Sequence, residues 1–265
     1  MHSPVDSASR RPRAGPAGLV AAVLVAACGD GGSDRPATDA ADDRDATTST
    51  DAGLLADASG PPGFGAIDGQ CGVISTAVLD AMAPIWFQGE LTFARRYDDP
   101  ADRGQLTAGG LEIILDGNAG GSSLYSEVFA FEWLARCEAA TLLKTETEIL
   151  YDVAGKKADL LVELGGRTIG VSVVRAVSFP FDQPYTLAAA TTIIQRKLDD
   201  LALATTQVSA ADRWSEQMVA ALAYAPQHAQ VLMQAWAALD AQTRRETILV
   251  VAVTSGDDLF IYTDQ

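Results

Sequence analysis

Thr168 to Val177 reads Thr-Ile-Gly-Val-Ser-Val-Val-Arg-Ala-Val, a stretch suited to a β-strand and almost wholly apolar. A strand with one wet face alternates polar and apolar residues; one that does not is covered on both faces. The segment is therefore predicted to be a central strand, which requires neighbouring strands at its sides and helices above and below. Just before it, Ala158 to Leu164 predicts a second strand, and Gly165-Gly166 between the two suits a tight hairpin turn.

The surrounding pattern extends the sheet. Ser126 is placed to cap a helix to about Ala140, with Val128, Phe131, Leu134 and Ala135 on one face. Thr145 to Asp152 has strand-forming residues. Thr186 opens a long helix to about Ala204, with Leu187, Ile194, Leu198 and Leu201 inward. Residues 73–86 and 228–241 are predicted helical, and 90–97, 246–254 and 259–263 are predicted strands. Thr107 to Leu115 and 217–224 fit helix or strand. The order gives an α/β (α+β) fold, a mixed sheet flanked by helices. Gly117 to Ser123 lacks the lysine and spacing of a phosphate-binding loop.

The amino-terminal part has another character. Arg10, Arg11 and Arg13 precede the apolar run Leu19 to Ala27, and Cys28 follows it. A basic stretch, a short apolar stretch and small residues are the layout of a secretory signal. The run is too short for a membrane-spanning helix of about 20 residues. Val25-Ala26-Ala27-Cys28 resembles the lipobox of bacterial lipoproteins. That resemblance implies removal of residues 1–27, lipid on Cys28, and a membrane-anchored protein of the bacterial cell envelope, inner or outer membrane left open. Residues 28–68, rich in Asp, Ala, Gly, Ser, Thr and Pro, read as a disordered acidic linker. Residues 69–265 then form a single globular domain.

The whole chain carries a net charge of −16. The signal is net +2, and residues 29–68 set nine Asp against Arg35 and Arg44, which leaves the domain at −11. A domain this acidic repels polyanions at long range and offers no basic stripe for phosphates, which counts against nucleic acid as a partner. With Cys28 lipidated, Cys71 and Cys137 remain, a disulfide candidate in an exported domain, with two separate buried thiols as the alternative. His2 leaves with the signal and His228 stands alone, so a four-ligand Cys/His zinc site is excluded and a hydrolase triad is poorly supported.

Helix, three strands, helix, with further strands to about residue 263, resembles the core order of the restriction-endonuclease-like fold, the PD-(D/E)XK superfamily. The likeness is carried by residues 124–205. It implies a helix acid at Glu127 and a strand acid at Asp159, the pair that would hold Mg²⁺ in an active member. Ser172 then stands where the second strand acid belongs, and Val174 where the lysine belongs. Lys144, Lys156 and Lys157 are candidates for a relocated cation, Glu163 for a further acid, and Arg175 for a substrate contact. Each has a plainer role: Glu127 as a helix-dipole partner, Asp159 paired with a neighbouring lysine, Ser172 as a core hydroxyl, Arg175 paired with an internal acid. Because the Glu-x-Lys is missing, the expected function is a degenerate endonuclease-like domain acting as a binding or structural module, without cofactor, toward an envelope protein partner. The alternative is a metal-dependent phosphodiesterase with a relocated catalytic cation.

Overall fold

The computed structural model describes residues 63–119 and 121–263. The predicted signal, Cys28 and most of the predicted linker lie outside them. The fold begins earlier than residue 69: strand β1 (Ala66–Asp68) pairs antiparallel with β2 (Ile85–Phe93), and Phe64 and Ile67 are buried. Between them is a short helix, α1 (Thr76–Asp80), which corrects the longer helix predicted over 73–86.

The rest of the chain builds a seven-stranded mixed sheet flanked by helices. Helices α2 (Ala108–Asp116) and α3 (Leu124–Glu138) lead into strands β3 (Thr141–Thr145), β4 (Leu160–Leu164) and β5 (Arg167–Ala176). These three are antiparallel neighbours. Helix α4 (Leu187–Gln207) crosses to β6 (Glu216–Ala223); helices α5 (Pro226–Ala238) and α6 (Ala241–Arg244) cross to β7 (Thr247–Gly256). The strand order is β1-β2-β7-β6-β5-β4-β3, with β5, β6, β7 and β2 parallel. The apolar strand β5 is internal, as its composition requires. Gly165 and Gly166 join β4 to β5 with φ of 58° and 76°, values that favour glycine in a two-residue hairpin.

Each sheet face has its own core. One packs β-strand side chains such as Val171, Val173 and Met218 against α2, α3 and the carboxy-terminal helix α7 (Leu259–Thr263). There Phe129, Phe93 and Phe260 meet with ring centroids 5.2 Å apart. The other core packs Val174, Val219 and Val251 against α4 and α5.

Two predicted strands are corrected. Residues after Thr145 form a turn, in which the Glu148 carboxylate accepts the Thr145 N–H and the Glu148 N–H donates to the Thr145 carbonyl. Residues 259–263 are helix α7 because β7 already has β6 and β2 at its two sides; folding back buries Phe260, Ile261 and Tyr262 instead. Gly170 has a packing reason. A Cβ there would meet the Trp214 ring at 2.6 Å. We expect Gly170→Ala to cost about 1–3 kcal/mol through overpacking, read as a lower urea midpoint; an unchanged midpoint would mean the indole moves aside freely.

Candidate functional site at the open end of strands β4 and β5

Pairing between β4 and β5 begins at Leu160 opposite Val171, so β5 runs on beyond the start of β4. Asp159 stands at this step. Its N–H donates to the Val171 carbonyl, and its Oδ2 accepts the Val173 N–H and the Ser172 hydroxyl, the latter at 3.0 Å. Tyr151 anchors the approach, its hydroxyl accepting the Ala158 N–H at 2.8 Å; burial pushes that phenol up to about 12.

Helix α4 supplies the cation. Thr186 caps it, accepting the Ala189 N–H, and Ala190, Ile194, Leu198 and Leu201 fix its buried stripe. Lys197 sits at the edge of that stripe, beside Leu198. Its Nζ lies 3.1 Å from Ser172 Oγ and 3.4 Å from Asp159 Oδ2. The side chains of Lys197 and Asp159 are 22% and 19% exposed, so the pair lies in a sheltered but open position. Alternation along β5 puts Ser172 on the α4 face, which is why a residue on α4 reaches it.

Helix α3 brings Glu127. Its N–H donates to the Ser123 carbonyl, the Ser123 hydroxyl donates to Oε1 at 2.6 Å, and the carboxyl is buried. Burial raises it to about 7; the negative charges of Asp159 and Glu146 add to the rise, and the hydrogen bond from Ser123 opposes it. Asp159 and Glu127 therefore share one electrostatic neighbourhood.

The other expected residues divide. Ser172 is in the site but only 2% exposed, and its hydroxyl is given to Asp159, so it is poorly placed to attack a substrate. Arg175 is not where a substrate contact was expected: it lies off the α4 face, and its guanidinium donates to the carbonyls of Ser122, Ile261 and Tyr262. It pairs with carbonyls rather than an internal acid. Lys144 is held by Asp212 and Lys156 by Asp200, and neither serves Asp159. Glu163 is exposed on β4 opposite Thr141 and Thr168. His228 is half-buried, its Nδ1 3.0 Å from the Ala176 carbonyl, rather than on the surface. Lys197 was the residue missed. The available signal was a lysine three residues after inward-facing Ile194.

The donor set fits a divalent cation thinly. Asp159 Oδ2 takes the site's donors, while no hydrogen bond among the described residues engages Oδ1. Mg²⁺ retains several waters, so two carboxylates suffice for weak binding. A separate exposed trio, Glu112, Asp116 and Glu148, has carboxylate oxygens within 4.8 Å of one another.

The sulfur atoms of Cys71 and Cys137 lie at disulfide distance, 1.99 Å. No helix among the described residues is long and apolar enough to cross a membrane.

No protein-family model and no solved structure matches the chain. The chain is similar to the AAC-rich mRNA clone AAC4 protein of Dictyostelium discoideum, with 33% identity over 162 residues. The match covers 58% of this chain and 24% of that protein, so the chain spans about a quarter of the relative's length.

Proposed function

We propose that this domain is an endonuclease-like metal-dependent phosphodiesterase whose catalytic cation has moved from strand β5 to Lys197 on helix α4. The observation that carries the reading is the placement of Lys197 Nζ against Asp159 and Ser172. The order α3-β3-β4-β5-α4-β6, antiparallel through β5 and parallel from β5 to β6, supports a restriction-endonuclease-like core. Glu127 and Asp159 would hold the metal. When bound, it would stabilise phosphoryl charge and lower the pKa of a water. Lys197 would orient that water or meet phosphoryl charge beside Asp159. The net charge of −11 on residues 69–265 favours a compact phosphodiester over a long polyanion. The basic and apolar run ending at Cys28 supports export and lipid anchoring, and the Cys71–Cys137 pair accords with an oxidising compartment.

A second reading, a binding or structural module, draws on Asp159 itself: one of its oxygens is already satisfied by Ser172, Val173 and Lys197. Calorimetric titration with Mg²⁺ and Mn²⁺ separates the two. We expect saturable binding that Asp159→Ala abolishes and Glu148→Ala leaves intact. Lys197→Met should keep the metal but lower hydrolysis of a model phosphodiester by about a hundredfold or more, the usual scale for a positioned proton-transfer group. Binding lost in Glu148→Ala instead, or no binding at millimolar metal, would leave the module.

A further inference from the structure

We infer that Arg175 is a positioning residue: it ties Ser122 to the carboxy-terminal end of helix α7, so that Ser123 is held against Glu127. The inference uses the proposed hydrolytic reading only for the premise that Glu127 and Asp159 act on one metal.

The geometry forms a continuous chain. Nη1 of Arg175 donates to the Ser122 carbonyl at 2.6 Å and to the Tyr262 carbonyl at 3.2 Å, with the Ile261 carbonyl at 3.5 Å; Nη2 lies 3.4 Å from the Ser122 hydroxyl. The last carbonyls of a helix have no partner within it, and a cation there is favoured by the backbone dipoles. Helix α7 is itself fixed to strand β7. The Thr254 hydroxyl bonds Asp258 and lies 2.7 Å from the Tyr262 hydroxyl, all three groups buried. At the other end, Ser123 is occupied on both of its oxygens. The Asn118 amide donates to Oγ at 2.9 Å, Oγ donates to Glu127, and the carbonyl accepts the Glu127 N–H at 3.0 Å and the Ser126 hydroxyl at 2.6 Å. One guanidinium thus joins the last helix of the domain to the residue that precedes Glu127's hydroxyl partner. Nη1 alone spans the Ser122 and α7 carbonyls and Nη2 adds the Ser122 hydroxyl, so a lysine ammonium could keep part of the tie but not the second donor nitrogen.

Hydrogen exchange followed by mass spectrometry tests this without any metal. In the full domain carrying Arg175→Ala, the Glu127 N–H, the first bonded amide of α3, and the amides that follow it are expected to exchange about tenfold faster, the effect of losing one charge-assisted hydrogen bond at a local opening. Amides of β5 and β6 should keep wild-type protection. Arg175→Lys should give an intermediate rate, and it serves as the test variant if the alanine form does not fold. Unchanged exchange at α3, or an equal rise across β5 and β6, would overturn the inference. Mn²⁺ titration of the same variants tests the hydrolytic reading separately. If Arg175 acts through Ser123, Arg175→Ala and Ser123→Ala weaken Mn²⁺ binding non-additively, whereas an additive pair would also overturn it. Wild-type protein that binds no metal sinks the hydrolytic reading and leaves the exchange result to decide on Arg175.

Discussion

Replacing Cys71 and Cys137 together by alanine is expected to lower the stability of the domain by about 4 kcal/mol, the loop-entropy value for a bridge closing a loop of this length. The two residues are separated by 66 positions, so the bond excludes many conformations from the unfolded chain. The folded contacts around it do not depend on the sulfurs. The Gly72 N–H donates to the Cys137 carbonyl, the Ile74 N–H to Glu138, and Arg136 to the carbonyls of Phe64 and Gly65. These bonds would still clamp the segment around β1 to the end of α3 after the bridge is lost. The penalty therefore falls on the unfolded state, and urea unfolding should report it in two ways. The midpoint should fall, and the slope should rise because the freed chain exposes more surface. An unchanged midpoint would show that the bridge closes a loop already compact in the unfolded chain.

The sheet was more legible than the site, and the reason is physical. A central strand writes its position into its own composition, as Thr168 to Val177 does, and a glycine pair such as Gly165-Gly166 writes a turn. Helix α4 declared itself through Thr186 and the spacing of Ile194, Leu198 and Leu201. The 259–263 segment failed because helix or strand was decided by what else occupied the sheet beside β7, which local pattern does not contain. The site failed in the same manner at one residue. Glu127 and Asp159 sit at element ends that sequence order can locate, and both enter one electrostatic neighbourhood. Lys197 comes from an element far along the chain, and only the packing of α4 over Ser172 brings it there. The sequence neighbourhood of Arg175, three residues after Ser172, suggests a substrate contact. Strand alternation placed it on the opposite face from Ser172, where backbone carbonyls absorb its charge.

Glu127→Gln is expected to stabilise the domain above pH 7 and to leave it nearly unchanged near pH 5. The Glu127 carboxyl is buried and raised to about 7, first by burial and then by Asp159 and Glu146. Its value in the unfolded chain is the ordinary 4.5. A raised acid favours the fold most when protonated. That contribution is complete below about 4.5 and is lost as pH rises through about 7, because ionising the buried group costs more than ionising it in the unfolded chain. Each pH unit between the folded and unfolded values is worth about 1.4 kcal/mol, which makes the loss on the order of 3 kcal/mol. Glutamine keeps the shape and can still accept from Ser123, but it does not ionise. The two proteins should therefore have similar melting temperatures near pH 5, with the variant pulling ahead between pH 6 and 8. Other buried acids whose values are also raised, Glu132, Glu138 and Asp258, are common to both and cancel in the difference. Mn²⁺ gives the second half of the test. A bound cation stabilises the ionised form of Glu127, so metal should raise the wild-type melting temperature above pH 7 and leave the glutamine variant where it was. Parallel pH profiles for the two proteins would mean that Glu127 is hydrated and ionised like a surface acid. A metal response retained by the variant would place the cation elsewhere, with the exposed trio of Glu112, Asp116 and Glu148 as the next ligands to remove.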